Sequence, residues 1–381
     1  MRFFIKQLLL CVLALVLVSC SARKANEEKS GLTLAKSDFS ALRGFEDDDF
    51  AGAALALKRS CAVIAKHPEI LRKSVVKIDS RAYLDACARF SALSSSDARA
   101  TRAFLKEHFE PYLVSFDGES EGRFTSYYEA EIRASRTKSE RYKYPIYGRP
   151  SNLVSVDLQD FGAGLPNARI SGRVENGKLR PYYTREQIEK DGLDAPVILW
   201  GDDKVDIFLM QVQGSALARL DDGSVVRVAY AADNGRPSVG VGKILLQKGL
   251  LEKGKASMGD IRDWLKAHPD LAQANINENP RFIFHKISTA QGPTGALGAT
   301  LVAGRSLAVD ERFIPLGAIM WLDTTAPSGE PLRKLVAAQD TGGAIKGAIR
   351  GDYFWGHGEE ALKQAGKMNS RGRYYILIPR N

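Results

Sequence analysis

Cysteine and histidine are scarce in this chain of 381 residues, which contains four cysteines and five histidines. The histidines are scattered over the chain, at His67, His108, His268, His285 and His357. None of them lies at the spacing from a cysteine or another histidine that zinc ligands require. The composition therefore predicts no metal site, and no motif in the chain predicts a bound cofactor.

Blocks of like charge are also missing, although Lys and Arg outnumber Asp and Glu by 54 to 45 and leave a formal net charge of +9. The basic residues are spread along the chain, which argues against a nucleic-acid-binding surface, so nucleic acid is not a predicted partner. Such a balance favours contact with an anionic polymer or a membrane surface, or simply keeps a protein soluble.

Long hydrophobic runs are absent except at the N-terminus, where Leu8–Val18 follows the basic residues Arg2 and Lys6. This run is too short for a membrane span. The sequence L-V-S-C that ends at Cys20 is similar to a bacterial lipoprotein box. We therefore predict a signal peptide over residues 1–20, a lipid on Cys20, and a protein that is anchored to a membrane rather than spanning it.

The residues after the predicted lipid site indicate where the protein is held. Ser21 directly follows the cysteine and favours the outer membrane, with the protein facing the periplasm. Residues 21–38 are small and charged, so we expect a tether between the lipid and the folded part.

Two cysteines remain after Cys11 and Cys20 are assigned to the N-terminal segment. These are Cys61 and Cys87, and both lie in helical patterns. An exported protein folds where disulfides form. A bridge between neighbouring helices and two buried free thiols are both compatible with the sequence.

Helical periodicity and strand-like patterns occupy different parts of the chain. Helices are predicted over 48–66, 81–92, 97–109, 241–251 and 261–268, with Asp97 as an N-cap and a capping box from Ser257 to Asp260. Strands are predicted from Phe124 to Tyr230 and again after Phe282, including one at Val205–Gln213. The Asn-Gly and Asp-Gly pairs at 176–177 and 222–223 predict tight hairpins.

The stretch Ala337–Gly358 combines the residues that acid/base chemistry needs. An apolar run delivers Asp340 to the end of a predicted strand, and a glycine-rich loop leads to Asp352 and three aromatic residues. Lys346 and Arg350 add two cations in between. The pattern predicts an acid/base site that holds a polar ligand against aromatic rings; the alternative is a pair of aspartates that cap turns.

Two other sequence patterns resemble functional motifs, but the residues around them do not fit those motifs. Gly356–Ala361 matches a G-x-G-x-x-A dinucleotide fingerprint, but the chain ends too soon for the second half of that unit. Ser306 lacks the flanking glycines of a nucleophile elbow. What remains is carboxylate chemistry, of the kind that cleaves glycosidic bonds.

The order of several longer motifs resembles that of the membrane-bound lytic murein transglycosylase A family. The resemblance runs from about Arg123 to the C-terminus. It rests on R-F-T-S-Y-Y-E, Y-P-I-Y, P-Y-Y-T-R, F-L-M-Q-V-Q-G-S, G-P-T-G-A-L-G-A, A-G-R-S-L-A-V-D-E-R-F-I-P-L-G, A-A-Q-D-T-G-G-A-I-K-G and R-G-D-Y-F-W-G. The last three carry Asp310, Asp340 and Asp352, one in each.

The resemblance implies a mainly β fold with N-terminal helices, of the α+β class. Residues 39–129 and 284–381 would form a catalytic double-psi β-barrel domain, with the three-aspartate part at 302–378. Residues 130–283 would form an inserted β-barrel-like domain, which is the other wall of a glycan groove.

The resemblance also implies the reaction. The enzyme would cleave the β-1,4 bond between N-acetylmuramic acid and N-acetylglucosamine of peptidoglycan and leave 1,6-anhydromuramic ends. Asp352 would act as general acid and then base, with Asp340 and Asp310 in support. The expected substrate-binding residues are Thr125, Tyr127, Tyr128, Gln211, Gln213, Gly214, Ser215, Gly342, Lys346 and Arg350. Expected partners are glycan strands, the membrane through the lipid anchor, and other cell-wall synthesis or lytic proteins.

The chain departs from the family pattern at three positions. Ser126 stands where the family more often has glycine, and Asp233 and Arg236 stand where small, aromatic or histidine residues are common. The alternative function is that of a lipoprotein that binds or scaffolds peptidoglycan without cleaving it.

Overall fold

A computed structural model describes residues 31–50, 52–93, 97–162, 164–166 and 168–380. The predicted signal peptide, Cys20 and the first part of the predicted tether lie outside these ranges. The rest of the tether prediction is wrong, because Leu32–Lys36 is a strand that pairs with Phe109–Phe116. None of the helices in the described ranges has the length and apolar character needed to cross a bilayer.

The elements are numbered in chain order. The strands are β1 (Leu32–Lys36), β2 (Phe109–Phe116), β3 (Gly122–Ser135), β4 (Tyr144–Tyr147), β5 (Val154–Asp157), β6 (Arg169–Glu175), β7 (Lys178–Pro181), β8 (Val197–Gly201), β9 (Ala216–Leu220), β10 (Val225–Asp233), β11 (Ile283–Ser288), β12 (Ser306–Val309), β13 (Ile319–Thr325), β14 (Pro331–Asp340), β15 (Arg350–His357) and β16 (Asn369–Pro379). The helices are α1 (Ala53–Ile64), α2 (Ser80–Ser91), α3 (Ala98–His108), α4 (Arg185–Asp191), α5 (Lys204–Gln213), α6 (Val241–Gln247), α7 (Met258–Ala267), α8 (Pro269–Asn277) and α9 (Gly358–Lys367). The fold is therefore a mixed α+β one.

Six strands of the large sheet close a ring. β3 pairs with β15, β15 with β12, β12 with β14, β14 with β13, and β13 with β16, which returns to β3. The β3–β15 and β12–β14 pairs are parallel, and the others are antiparallel. β3 continues beyond the ring and pairs there with β9, so this one strand extends from the ring into a second group of strands.

The three N-terminal helices confirm the sequence prediction. Asp97 caps α3 by accepting a hydrogen bond from the backbone N–H of Ala100 at 2.9 Å, which satisfies one of the unpaired donors of the first turn. A disulfide joins Cys61 of α1 to Cys87 of α2, so of the two possibilities the structure selects the bridge.

The strand predicted at Val205–Gln213 is wrong, because these residues form α5. Asp203 accepts hydrogen bonds from two N–H groups of the first turn, and Gly214 ends the helix with a φ of 88°. Most of the helix is buried, including Ile207 and Met210. A helix that is apolar on most of its faces lacks the amphipathic pattern that would have distinguished it from a strand.

The predictions for the remaining elements have mixed outcomes. Both hairpins are confirmed as β6–β7 and β9–β10, and the capping box from Ser257 to Asp260 begins α7. In the first hairpin, Asn176 and Gly177 both have positive φ, as a type I′ turn requires. Sequence analysis missed α4, α8 and α9, which are short helices inside regions predicted to be strand or loop.

The largest hydrophobic core combines two distant parts of the chain, residues 42–124 and 297–377. Direct contact between them is made by Gln339 of β14, whose amide donates to the carbonyl of Ala56 and to the hydroxyl of Ser60 in α1, both at 3.0 Å. The residues between these two parts contribute to separate, smaller cores. The N-terminal helices are thus packed onto the strands that carry the three aspartates.

Candidate active site

Asp352 lies on β15, which pairs with β12 and β3 in the six-strand ring. On β15 it faces Ala308 of β12 on one side and Thr125 of β3 on the other. The Thr125 hydroxyl donates a hydrogen bond to Oδ1 of Asp352. The same hydroxyl oxygen accepts a hydrogen bond from Nη2 of Arg350 at 2.6 Å. Because Arg350 can only donate, the Thr125 hydrogen is directed to the carboxyl group.

The environment of Asp352 favours its protonated form. Burial raises the pKa of the Asp352 carboxyl to about 6, and the nearby charge of Asp340 acts in the same direction. The hydrogen bond from Thr125 and the charge of Arg350 oppose this rise without cancelling it. The side chain remains part-exposed, so a substrate atom can reach it. A carboxyl with such a pKa can both give and take a proton near neutral pH.

Asp340 ends β14 and is held by three donors. Its Oδ2 accepts from the Tyr127 hydroxyl at 2.8 Å, and its Oδ1 accepts from the backbone N–H groups of Ala296 and Thr341, each at 2.9 Å. Burial nevertheless raises the pKa of the Asp340 carboxyl. The pKa of Tyr127 is far above its usual value, through burial and the neighbouring Asp340 charge, so the phenol stays a donor. Its ring packs against Phe354 with centroids 5.1 Å apart.

Asp310 has a different role in the geometry. Its carboxylate accepts from Nε and Nη2 of Arg312 at 2.9 and 2.5 Å, and from the N–H of Gly347 at 2.8 Å. Burial pushes the pKa of the Asp310 carboxyl up, but the Arg312 and Gly347 hydrogen bonds outweigh it and the pKa is lowered. Asp310 therefore holds the loop between Asp340 and Asp352 rather than touching either aspartate.

Three of the expected substrate-binding residues, Thr125, Tyr127 and Arg350, lie beside Asp340 and Asp352 in the structure. Each of these three side chains forms a hydrogen bond to an aspartate or to the hydroxyl that holds one. Their contact with substrate stays a prediction.

Tyr128 and Gln211 lie away from this group. Tyr128 is 6% exposed in a core that also contains Ile132 and Met210. Adjacent residues of a strand point to opposite faces, so Tyr128 faces away from the side that Tyr127 occupies. Gln211 is buried and accepts from Nη2 of Arg185 at 2.6 Å. Both side chains have partners inside the protein, and their predicted substrate contact also stays a prediction.

The turn after α5 lies beside β3. Gln213 accepts a hydrogen bond from the backbone N–H of Tyr128 at 3.1 Å, and the carbonyl of Ser215 accepts from Ala130 at 3.3 Å. Gln213, Gly214 and Ser215 are all part-exposed. They therefore form a polar edge next to the strand that carries Thr125.

The loop from Asp340 to Asp352 contains the other two predicted positions. A Cβ added to Gly342 would lie 2.7 Å from Cγ1 of Ile345, so the tight turn needs glycine there. Lys346 is exposed on the loop surface. Among the described residues, no group of three His, Cys, Asp or Glu side chains is arranged to hold a metal ion.

Comparison with known proteins agrees with this geometry. The model of the MltA specific insert domain matches residues 123–286, and the model of the 3D domain matches residues 305–378. Membrane-bound lytic murein transglycosylase A of Escherichia coli K12 is 30% identical over 294 residues, which are 74% of this chain and 72% of that protein. This chain belongs to the membrane-bound lytic murein transglycosylase A family.

Solved structures of the family share the fold. MltA from Neisseria gonorrhoeae has a TM-score of 0.76 and 31% identity, covering 92% of this chain and 93% of its own. The membrane-bound lytic murein transglycosylase from Agrobacterium tumefaciens has a TM-score of 0.80 and 31% identity, covering 91% and 98%. The resemblance inferred from the motifs is thereby confirmed, and the family is one of enzymes named for peptidoglycan lytic transglycosylation.

Sequence analysis missed two residues that position the aspartates of the candidate site. Ala296 lies in the G-P-T-G-A-L-G-A motif, so the signal was present, but its backbone donor to Asp340 was not foreseen. Gln339 precedes Asp340 and accepts from the Ser306 hydroxyl at 2.6 Å while donating to α1. Gln339 therefore ties the end of β14 to two other elements.

Proposed function

We propose that this protein cleaves the β-1,4 bond between N-acetylmuramic acid and N-acetylglucosamine in peptidoglycan glycan strands and leaves 1,6-anhydromuramic ends. The observation that carries this proposal is the Asp352 carboxyl, which is part-buried, positioned by Thr125, and raised in pKa to about 6. Membership of the transglycosylase A family supports the choice of substrate.

In this mechanism Asp352 acts twice. The protonated carboxyl gives its proton to the glycosidic oxygen, the bond from that oxygen to C1 of the muramic residue breaks, and the N-acetylglucosamine hydroxyl leaves. The carboxylate then takes the proton from the C6 hydroxyl, whose oxygen bonds to C1. No water is consumed and the acid is restored, so one carboxyl suffices where hydrolases use two.

The hydrogen bonds indicate which oxygen of Asp352 transfers the proton. Oδ1 accepts from Thr125, while Oδ2 accepts no hydrogen bond from any residue that the structure describes. We therefore assign the transferred proton to Oδ2. Arg350 acts through Thr125 as a positioning residue, and it also limits the rise in the pKa of Asp352.

Asp340 supports the same carboxyl. Its charge raises the pKa of Asp352, and Tyr127 fixes its orientation from β3. Asp310 supports the site at a distance by holding Gly347. These roles give the three aspartates three different functions.

The proposal includes a division of the chain into two domains. Residues 39–129 and 284–381 form a catalytic double-psi β-barrel domain, and 130–283 form the inserted domain that is the other wall of the groove. The closed ring of six strands and the core shared by residues 42–124 and 297–377 support it. The insert-domain match at 123–286 has similar bounds.

The N-terminal sequence and the family support a proposal for the localisation of the protein. The relatives are described as membrane-bound, and the sequence ending at Cys20 provides a lipid site. We propose that the mature protein is lipid-anchored to the outer membrane and faces the periplasm. Loss of radiolabelled palmitate incorporation in a Cys20→Ala variant tests this, and retained labelling would contradict it.

Release of anhydromuropeptides is the test of the activity. Purified protein is incubated with peptidoglycan sacculi, and soluble products are identified by mass spectrometry. The proposal expects products with 1,6-anhydromuramic ends, and none from Asp352→Asn. A protein that only binds or scaffolds peptidoglycan would cosediment with sacculi and release nothing.

A further inference from the structure

Asp233, at one of the positions where the chain departs from the family pattern, forms an ion pair with Arg281. Nη2 of Arg281 donates to Oδ2 of Asp233 at 2.7 Å, and both side chains are only part-exposed, at 24% and 16%. Asp233 is itself held by the Tyr230 hydroxyl and by the backbone N–H of Gly235, each at 2.7 Å. The guanidinium is therefore fixed in orientation before any ligand arrives.

The backbone of Arg281 is equally constrained. Its carbonyl accepts from Nη2 of the buried Arg185 at 2.7 Å, and its N–H donates to Asn279 at 3.3 Å. A side chain that is fixed at both ends loses little conformational entropy on binding. Such preorganisation is typical of a binding group.

Arg281 lies against the loop that connects Asp340 to Asp352. A Cβ added to Gly343 would lie 3.2 Å from Cζ of Arg281, 3.3 Å from Nη1 and 3.4 Å from Nε. These three similar distances place the flat face of the guanidinium over Gly343. Gly343 follows Asp340 by three residues, so the cation lies against the loop that joins the two aspartates.

Two nitrogens of this guanidinium retain donor capacity. Within the described part of the chain, Nε forms no hydrogen bond, and Nη1 has one long contact of 3.5 Å, to the carbonyl of Arg236. The Nε–H group and Nη1 lie on different edges of the guanidinium, so each offers a separate donor, and either can form a single charge-assisted hydrogen bond to a carboxylate oxygen. Neutral sugar hydroxyls would not require a preoriented cation.

We propose that Arg281, held by Asp233, binds a carboxylate of the substrate beside the cleavage site. This inference rests on the proposed function, because it names the group of peptidoglycan that the cation recognises. Two sources offer the same chemistry. One is a free carboxylate of the peptide stem, and the other is the lactyl carboxylate of a strand from which the stem has been removed.

The test compares Arg281→Gln with the unaltered protein on three forms of the same glycan strands. The first form carries intact stems, the second has its carboxylates converted to methylamides, and the third is freed of stems by an amidase. If a stem carboxylate is the ligand, the variant should lose roughly 10-fold in kcat/KM on intact strands, as expected for one charge-assisted contact. If the lactyl carboxylate is the ligand, the same loss should occur only on stem-free strands. On methylamidated strands the two proteins should cleave at the same, lower rate.

The third form identifies the source of the carboxylate. The lactyl carboxyl is an amide in intact strands and becomes a free carboxylate only when the amidase removes the stem. A difference between Arg281→Gln and the unaltered protein that is present on intact strands and disappears on stem-free strands therefore identifies the stem, whereas a difference confined to stem-free strands identifies the lactyl group. An equal loss by the variant on intact and methylamidated strands would overturn the proposal, because Arg281 would then only support the loop.

A matched control is Arg219→Gln. Arg219 also pairs with a carboxylate, Glu131 at 3.3 Å, but with 64% of its side chain exposed on β9. This variant should leave all three rates unchanged. The double variant Asp233→Asn, Arg281→Gln leaves no carboxylate unpaired and should repeat the result of Arg281→Gln if the effect is on recognition rather than folding.

Failure of the proposed function gives a separate signal. In that case the unaltered protein releases no anhydromuropeptide from any of the three forms. Binding of a stem-bearing disaccharide to Asp352→Asn, measured by calorimetry with and without Arg281→Gln, then tests the carboxylate site by itself. Equal affinities in the two proteins would overturn it.

Discussion

Asp310 and Asp352 lie close together in the ring and have opposite electrostatic environments. Asp310 follows β12, whose Ala308 faces Asp352 on β15. Burial acts to raise the pKa of both carboxyls. The resulting pKa of Asp310 is nevertheless below its usual value, whereas that of Asp352 is about 6. The difference lies in the donors: Asp310 accepts from two side-chain nitrogens of Arg312 and from the backbone N–H groups of Arg312 and Gly347, whereas Asp352 accepts from one hydroxyl. Hydrogen-bond donors, rather than burial alone, make the pKa of Asp310 differ from that of Asp352, the proposed acid.

Removing the acid should have the largest effect on activity. Asp352→Asn keeps the shape of the side chain but cannot transfer a proton, so release of anhydromuropeptides should fall by roughly 10²–10⁴-fold. Binding of a glycan fragment should survive, since the groove is unchanged. Mass spectrometry of the products measures the first and calorimetry the second. Near-normal release by this variant, with an inactive Asp340→Asn, would mean that the two roles are exchanged.

Asparagine substitutions at Asp310 and at Asp352 should have opposite effects on the free energy of unfolding near neutral pH. Asp310→Asn removes charge-assisted hydrogen bonds, which should cost roughly 2 kcal/mol of unfolding free energy. The pKa of Asp310 is lowered by folding, so its contribution is present above the unfolded pKa of about 4 and is lost as the pH falls through the lower folded value.

Asp352 shows the reverse linkage. Its folded pKa of about 6 lies above the unfolded value, so its stabilising contribution is present below about pH 4 and is lost as the pH rises through about 6. Asp352→Asn should therefore stabilise the protein above that pH, by roughly 3 kcal/mol, and not at low pH. Urea unfolding of Asp310→Asn and Asp352→Asn, near neutral pH and again below about pH 4, measures these changes in the free energy of unfolding. Destabilisation by both substitutions near neutral pH would remove the distinction between the two sites.

A smaller effect is expected when the neighbouring charge is removed. Asp340→Asn can still accept from Tyr127, but it no longer raises the pKa of Asp352. The proposed mechanism requires protonated Asp352, so kcat/KM should fall as the pH rises through about 6, and this variant should shift that decline to lower pH. The kcat/KM of Asp340→Asn should be several-fold below that of the unaltered protein near pH 7 and only slightly below it near pH 5. An equal loss at both pH values would indicate a role unrelated to the charge.

The smallest effect is expected for Thr125→Val, and in the opposite direction. The Thr125 hydrogen bond lowers the pKa of Asp352, so its loss should move the decline in kcat/KM to higher pH. The pH profile of anhydromuropeptide release measures the shift. A shift in the same direction as that of Asp340→Asn would contradict the assigned contributions.

Part of this arrangement could be predicted from the sequence because it depends on local patterns. The apolar run before Asp340 marked the end of a strand, and Asp97 marked the start of α3. The alternation at Val205–Gln213 was misleading because α5 is buried on most of its faces. Local periodicity does not distinguish such a helix from a strand.

The different hydrogen-bond partners of Asp310, Asp340 and Asp352 could not be predicted from local patterns. Thr125 and Asp352 are 227 residues apart, and Ala296 and Asp340 are 44 apart. Such contacts form only when the ring closes. By contrast, Arg312 follows Asp310 by two residues, yet the sequence alone does not show that its guanidinium turns back onto that carboxylate. The family resemblance named the three residues, and the geometry separates their roles.

The pKa of Asp352 is the measurement that tests this account most directly. Carbon-13 NMR of the side-chain carboxyls, with aspartate labelled, follows each titration as the pH is changed. We expect one aspartate carboxyl to titrate near pH 6, to be absent from Asp352→Asn, and to remain in Asp310→Asn. The account would be contradicted if Asp352 titrated at or below the usual value of about 4, or if the resonance near pH 6 vanished in Asp310→Asn instead.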